Sequence, residues 1–258
     1  MVISKLKTER VVIVMNIEKL TNSTFISLVA VFAAFTIVCD YLVVTPFLPY
    51  SGVWYSGVFI SEPITGVMIG PLAGFFANLI GVMIGHSINY FGDVYEFLFT
   101  FGAPIGAAIS SLIFRGKWRI PMAYYLFLLV GYFASPVTWQ LPLWGMWDTY
   151  LAFVLLIVVS IIVIKWKSLW NTESSARLVY ILALSAFIGL EADVLFRIFI
   201  FVPCQTYSLF YGYDVSYIQL IWAEGAIETP IKAGLSTLVT ALTGPPIINV
   251  ARKMGLHV

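Results

Sequence analysis

Two groups of ionisable residues interrupt otherwise apolar stretches of this chain. Glu224, Glu228 and Lys232 recur every four residues, and Glu191, Asp193 and Arg197 precede them, with Asp193 and Arg197 again four apart. A separation of four brings side chains together on one helix face. Asp193 with Arg197 and Glu228 with Lys232 therefore read as two intrahelical ion pairs, which leaves Glu191 and Glu224 over. The other reading is that these residues line a cavity, because ionisable groups at membrane depth are expensive and mark ligand, ion or proton pathways. Both readings stay open from spacing alone.

The surrounding residues bias the chemistry of such a cavity. Away from the basic loops the charges are mostly acidic: Asp40, Glu62, Asp93, Glu96, Asp148 and Asp214 join the acids above, against Arg197 and Lys232. That balance favours a cationic or amine-bearing ligand. Trp139, Trp144, Trp147, Tyr207, Tyr211 and Trp222 offer faces that attract cations and stack on heterocycles, although each is more simply a member of an interfacial belt. His86 with Asn89 supplies a candidate polar wall. The expectation is a closed outer pocket lined by Glu191, Glu224, Glu228 and the loop tryptophans. With two histidines and no Cys/His/Asp cluster, a metal site is not expected. Cys39 and Cys204 are expected to be two buried thiols, with a disulfide as the alternative. No Gly-x-Ser-x-Gly, His-Glu-x-x-His or Walker A sequence is present, so no enzyme, cofactor or ATP site is implied.

The elements that must hold these residues are membrane helices. The chain has 258 residues, 60% of them apolar and 10% charged, with net charge +1. So little charge cannot cover a water-facing surface. Of 14 Lys and Arg residues, 12 fall in four clusters: Lys5, Lys7, Arg10 and Lys19; Arg115, Lys117 and Arg119; Lys165, Lys167 and Arg177; Arg252 and Lys253. Short cytoplasmic loops collect Lys and Arg, so the clusters place those loops and both termini inside. Once they are assigned to topology no basic face remains for nucleic acid.

Apolar segments are read at 24–44, 54–69, 71–87, 94–114, 120–136, 149–164, 177–202 and 217–250. Gly70-Pro71 divides the second from the third, which are either two tilted spans or a re-entrant pair. The count is eight crossings, or six plus a hairpin. Pro230 and Pro245 are expected to kink and end the last segment. The fold class is thus an all-α polytopic membrane protein in the cell membrane. Residues 1–23 form a cytoplasmic lead-in, 24–250 one transmembrane bundle, and 251–258 a cytoplasmic tail. The run Val11–Met15 is too short for a signal peptide, and Met15 reads as an alternative start. Two ridges of small residues, Gly66, Gly70, Gly74 and Ala73, Ala77, Gly81, Gly85, with the series Gly102, Gly106, Ser110, suit close helix packing.

The stretches Ala30-Val31-Phe32-Ala33-Ala34, Gly66-Val67-Met68-Ile69-Gly70-Pro71-Leu72-Ala73-Gly74 followed by Asn78 and Gly81, Gly102-Ala103-Pro104-Ile105-Gly106 and Arg115-Gly116-Lys117-Trp118-Arg119 resemble the substrate-binding S components of energy-coupling factor (ECF) vitamin transporters. The resemblance covers roughly residues 25–120. It implies a six-helix core with a small-molecule pocket open to the outside. Its implied partners are a membrane coupling subunit and two ATPase subunits, with Ala30 and Ala34 as the coupling contact. The cobalt and nickel members carry His after the first Met; Val2 stands here, which disfavours a metal substrate. The functional expectation is uptake of a vitamin-like small molecule, with a stand-alone ion-coupled transporter or a membrane scaffold as alternatives.

Overall fold

A computed structural model describes residues 22–44, 47–53, 55–89, 96–170 and 174–253. The N-terminal basic cluster, Met15, Trp54, Asp93 and the side chains of Asn89 and Glu96 lie outside the described residues. The chain is an α-helical membrane bundle. In order it forms α1 (Asn22–Tyr41), β1 (Val43–Val44), β2 (Tyr55–Ser56), α2 (Val58–Ile69), α3 (Pro71–Asn89), α4 (Glu96–Phe99), α5 (Gly102–Phe114), α6 (Arg119–Ala134), α7 (Trp147–Lys165), α8 (Ser175–Phe201), α9 (Thr206–Leu209) and α10 (Val215–Lys253). Six helical stretches, Ser23–Tyr41, Pro71–Ile88, Phe97–Phe114, Leu143–Lys165, Ser175–Phe201 and Val215–Lys253, are long and apolar enough to cross a membrane. Helices α2 and α6 are shorter apolar helices between them. The two strands form a small antiparallel ribbon, Val43 opposite Ser56 and Val44 opposite Tyr55.

The hairpin α2–α3 runs between the two ends of the bundle. Near its start, the Tyr55 hydroxyl donates to the Glu228 carbonyl at 3.2 Å. At its far end, Arg115 donates to the Val67 carbonyl at 3.3 Å. Gly70, at φ 97°, supplies the left-handed backbone that ends α2, and Pro71 opens α3 where its missing N–H is no loss. The pair then returns along α1: a side chain at Gly81 would strike Thr36, and one at Gly85 would strike Asp40. The small-residue ridges are used for this packing.

Helices α5 and α8 form the centre. A Cβ on Gly66 would overlap the Ala107 carbonyl, and one on Gly189 would overlap the Ser110 hydroxyl. Three backbones thus meet at near-contact distance. Around them Tyr125, Tyr132, Leu156, Ile188 and Leu195 are fully buried. The Tyr125 and Tyr124 hydroxyls reach across to α8 carbonyls, at Ile188 (2.7 Å) and Ala192 (2.8 Å). Such satisfied phenols avoid the penalty of an unpaired polar group in an apolar interior.

Helix α10 departs from the expectation that Pro245 ends it. The helix continues through Pro230, Pro245 and Pro246 to Lys253 over 39 residues. At about 1.5 Å per residue that is about 58 Å of helix. Proline removes one backbone donor but does not forbid continuation where neighbouring groups adjust. Thr243 and Thr229 each return a side-chain hydrogen bond to the carbonyl four residues earlier. Alternation of the eight main helices brings Arg115, Lys117, Arg119, Lys165, Lys167, Arg177, Arg252 and Lys253 to one end of the bundle. There Trp170 donates to the Ile113 carbonyl at 3.1 Å, and Ile248 packs with Phe114 and Leu178. Cys39 and Cys204 are both free thiols, but neither is buried as expected: Cys39 is half-buried and Cys204, in the turn after α8, is exposed.

Candidate functional site

At the opposite end of the bundle lies a chamber of about 370 Å³, within the range of small-molecule sites. Two helical stripes build one side of it. Along α8, Val194, Arg197, Ile198 and Phe201 face inward; along α10, Tyr217, Ile221, Trp222, Gly225, Thr229 and Lys232 do so. Both stripes follow the spacing of three and four that keeps side chains on one helix face. Asp148 at the start of α7, Phe99 of α4, and Asp40 with His86 from α1 and α3 complete the wall. The loop Pro49–Val53 covers it.

The wall divides by chemistry. Toward the bundle end it is aromatic. Phe201 and Trp222 lie nearly parallel, 10° apart at 6.4 Å between centroids. Tyr211, Tyr213 and Tyr217 form a chain with centroids 5.5 and 4.4 Å apart. Deeper in, it is charged. Arg197 donates through Nε to Asp193 at 2.7 Å. Asp148 accepts from the Thr149 amide at 3.0 Å and from the Thr229 hydroxyl. Lys232 is half-buried at the floor, and its charge is felt by Arg197, Asp193, Glu62 and Glu191. His86 Nδ1 lies 2.8 Å from Asp40 Oδ2.

Behind the chamber stands a layer of carboxylates. Glu62, Glu191 and Asp193 are buried. Glu191 accepts from the Thr149 hydroxyl at 2.9 Å, and its other oxygen has no partner. Glu62 is 0% exposed, and neither of its oxygens has a hydrogen-bond partner among the described residues. Glycines of α5 make room for this layer, since a Cβ on Gly102 would overlap Asp193 and one on Gly106 would overlap Glu62. Among the described residues no group of His, Cys, Asp and Glu has a metal-holding arrangement.

The expected site residues are therefore redistributed. Arg197 and His86 line the chamber. Asp193 sits against Arg197, as the spacing predicts. Glu191 stands behind the wall rather than in it. Glu224 and Glu228 turn to the covering loop: Glu228 accepts from the Leu48 amide at 2.7 Å and the Ser51 hydroxyl at 3.0 Å, and Glu224 from the Tyr50 amide at 2.6 Å. The expected Glu228–Lys232 pair is absent among the described residues, because loop donors occupy Glu228. Trp139 and Trp144 are 64% and 60% exposed and Trp147 is exposed too; none of the three lines the chamber. The Asn89 side chain lies outside the described residues.

Asp148, Asp40 and Thr229 are among the chamber residues that spacing did not assign to a binding role. Their partners are remote in sequence, as with Thr229 and Asp148 at 81 residues. Comparison of the chain with protein-family models, curated proteins and solved structures gave no match.

Proposed function

We propose that this chain is the substrate-binding subunit of a small-molecule uptake system in the cell membrane. The observation that carries the reading is the chamber itself: an aromatic vestibule over a charged floor, at the end of the bundle away from every described basic loop. Positive loops face the cytoplasm, so the chamber opens outward. Its ligand is vitamin-like in size, aromatic or heterocyclic, and amine-bearing. Phe201 and Trp222 stack on the ring and Asp148 meets the amine.

Energy comes from elsewhere, because the chain carries no nucleotide-binding motif. An apolar groove of about 620 Å³ between α1 and α3 is lined by Ala30, Ala34, Phe76, Ile80 and Ile84. Helix α1 is the least covered of the six long helices, with 22% of its window buried against 72% for the span containing α5. This face suits a helix of a membrane coupling subunit, which two ATPase subunits would drive. Small molecules retained by the chain purified from its own membranes, identified by mass spectrometry, test the binding role. A bulky Ala34→Trp variant that keeps the ligand but loses the ATPase partners tests the docking role. A purified chain that holds no small molecule and co-purifies with no ATPase would count decisively against the proposal.

Glu62 favours a second reading. A buried carboxylate with no hydrogen-bond partner among the described residues is what an ion-coupled carrier uses to bind a proton or sodium ion. Liposomes holding this chain alone decide between the two. Uptake driven by an ion gradient, and abolished in Glu62→Gln, supports the carrier; no uptake without ATPase partners supports the subunit.

A further inference from the structure

We infer that the chamber takes an aromatic zwitterion, with its ammonium bound by Asp148 and Thr229 and its carboxylate bound by Lys232. This rests on the reading of the chamber as a ligand site and adds the second charge of the ligand. Gly225, Thr229 and Lys232 descend one face of α10, and Thr229 and Lys232 are three residues apart. At about 1.5 Å per residue their axial offset is about 4.5 Å. That offset suits a head group whose amine and carboxylate sit on one carbon and reach opposite ways by one hydrogen bond each.

Both anchors are chemically available. Lys232 lines the floor, and among the described residues no acceptor takes a hydrogen bond from its ammonium. Arg197 stands near it as a second cation, and Asp193, Glu62 and Glu191 are near enough to act on its charge. The three acids answer the two cations, and the three N–H donors of Lys232 stay available for a ligand. One turn away on the same face, Thr229 has one hydroxyl proton and two acceptors within reach, the Asp148 carboxylate and the Gly225 carbonyl at 2.8 Å. When that proton turns to Gly225, Asp148 and the Thr229 oxygen both present lone pairs to the chamber, which is what an ammonium needs.

The pair of opposite charges also rejects incomplete ligands. A simple amine brings its cation near Lys232 with nothing to answer that charge. A simple acid brings its anion near Asp148. Like-charge juxtaposition and an unanswered buried charge both weaken binding. The aromatic ring lies toward Trp222 and Phe201, above Thr229 on the chamber axis.

Three probes of one ring system test this on the full-length chain in nanodiscs: free tryptophan, tryptamine and indole-3-propionate, titrated by calorimetry. Free tryptophan is expected to bind on the order of tenfold to a hundredfold more tightly than either of the others, the range of one charge-assisted hydrogen bond. Lys232→Met should erase the advantage over tryptamine, Lys232→Arg should keep it, and Asp148→Asn should erase the advantage over indole-3-propionate. Equal affinity of the wild-type chain for tryptophan and tryptamine overturns the carboxylate anchor while leaving a ligand chamber in place. Failure of all three probes to bind overturns the aromatic zwitterion itself. Small molecules recovered from the purified chain report on the chamber independently, so the two failures are distinguishable.

Discussion

The Glu62 carboxylate rests on the backbone of Gly106, where even one methyl group would overlap it. The contact joins α2 to α5 and fixes the position of a carboxylate that has no hydrogen-bond partner among the described residues. Gly106→Ala must push Glu62 away, and the Gly189 carbonyl, 2.9 Å from the new methyl position, closes the other route. Overpacking of this kind costs about 1–3 kcal/mol. A lowered midpoint of thermal unfolding in detergent is expected for Gly106→Ala, and a larger loss for Gly106→Val. An unchanged midpoint in both variants would show that the contact is not tight.

Glu228 and Glu224 hold the loop over the chamber through its backbone. Glu228→Ala removes the acceptor for Leu48 and Ser51 together, and Glu224→Ala removes only that for Tyr50. Amide hydrogen exchange of residues 47–53 should quicken in both, more in Glu228→Ala. A charge-assisted hydrogen bond of about 1.5–3 kcal/mol corresponds to roughly tenfold or more in exchange rate. Equal protection in wild type and Glu228→Ala would mean that the loop is held by something else.

The exposed tryptophans and the buried one separate two kinds of aromatic residue. Trp139→Phe and Trp144→Phe should leave ligand affinity unchanged, because these side chains are exposed and do not line the chamber. Trp222→Ala removes a wall of the chamber and its ring contact with Phe201, and should weaken binding on the order of tenfold, the scale of one aromatic pair. The reverse ranking, measured by the same titration, would move the binding surface to the rim.

Asp214 caps the start of α10 and supplies a pH dependence. Its carboxylate accepts from the Tyr217 amide and the Ser216 hydroxyl, each at 2.8 Å. These bonds hold it below the ordinary aspartate range. A depressed folded-state pKa contributes stability that is complete above the unfolded value of about 3.9. It is lost as pH falls through the lower folded value. Asp214→Ala should therefore lower the unfolding midpoint at neutral pH and converge with wild type in strong acid. A constant difference across that range would assign the effect to something other than the carboxylate.

Much of the framework is legible in the sequence, because lipid leaves a strong imprint. The order of the apolar helices, the break at Gly70-Pro71 and the gathering of basic residues at one end follow from apolar run length, backbone chemistry and charge placement, whereas the division of 94–114 into α4 and α5 and the run of α10 past Pro245 do not. The Asp193–Arg197 pair follows from its spacing of four. The same spacing fails for Glu228 and Lys232. There the loop amide of Leu48, 180 residues away, outbids a neighbour on the helix, and periodicity cannot see such a rival. Asp148 and Thr229, or His86 and Asp40, meet only through the way helices cross. Gly102 and Gly106 carried a usable signal: small residues at a spacing of four on a buried helix, with more acids than nearby cations to receive. They read as simple packing, and they are also the recesses into which Asp193 and Glu62 fit.

Gly66, Gly106 and Gly189 bring three backbones together with no cushion of side chain between them. A sliding motion of α2, α5 or α8 past one another would drive main-chain atoms into collision and drag carboxylates toward lipid. Any shape change during a working cycle must then pivot around this knot instead of shearing through it, leaving the outer helices and the covering loop as the moving parts.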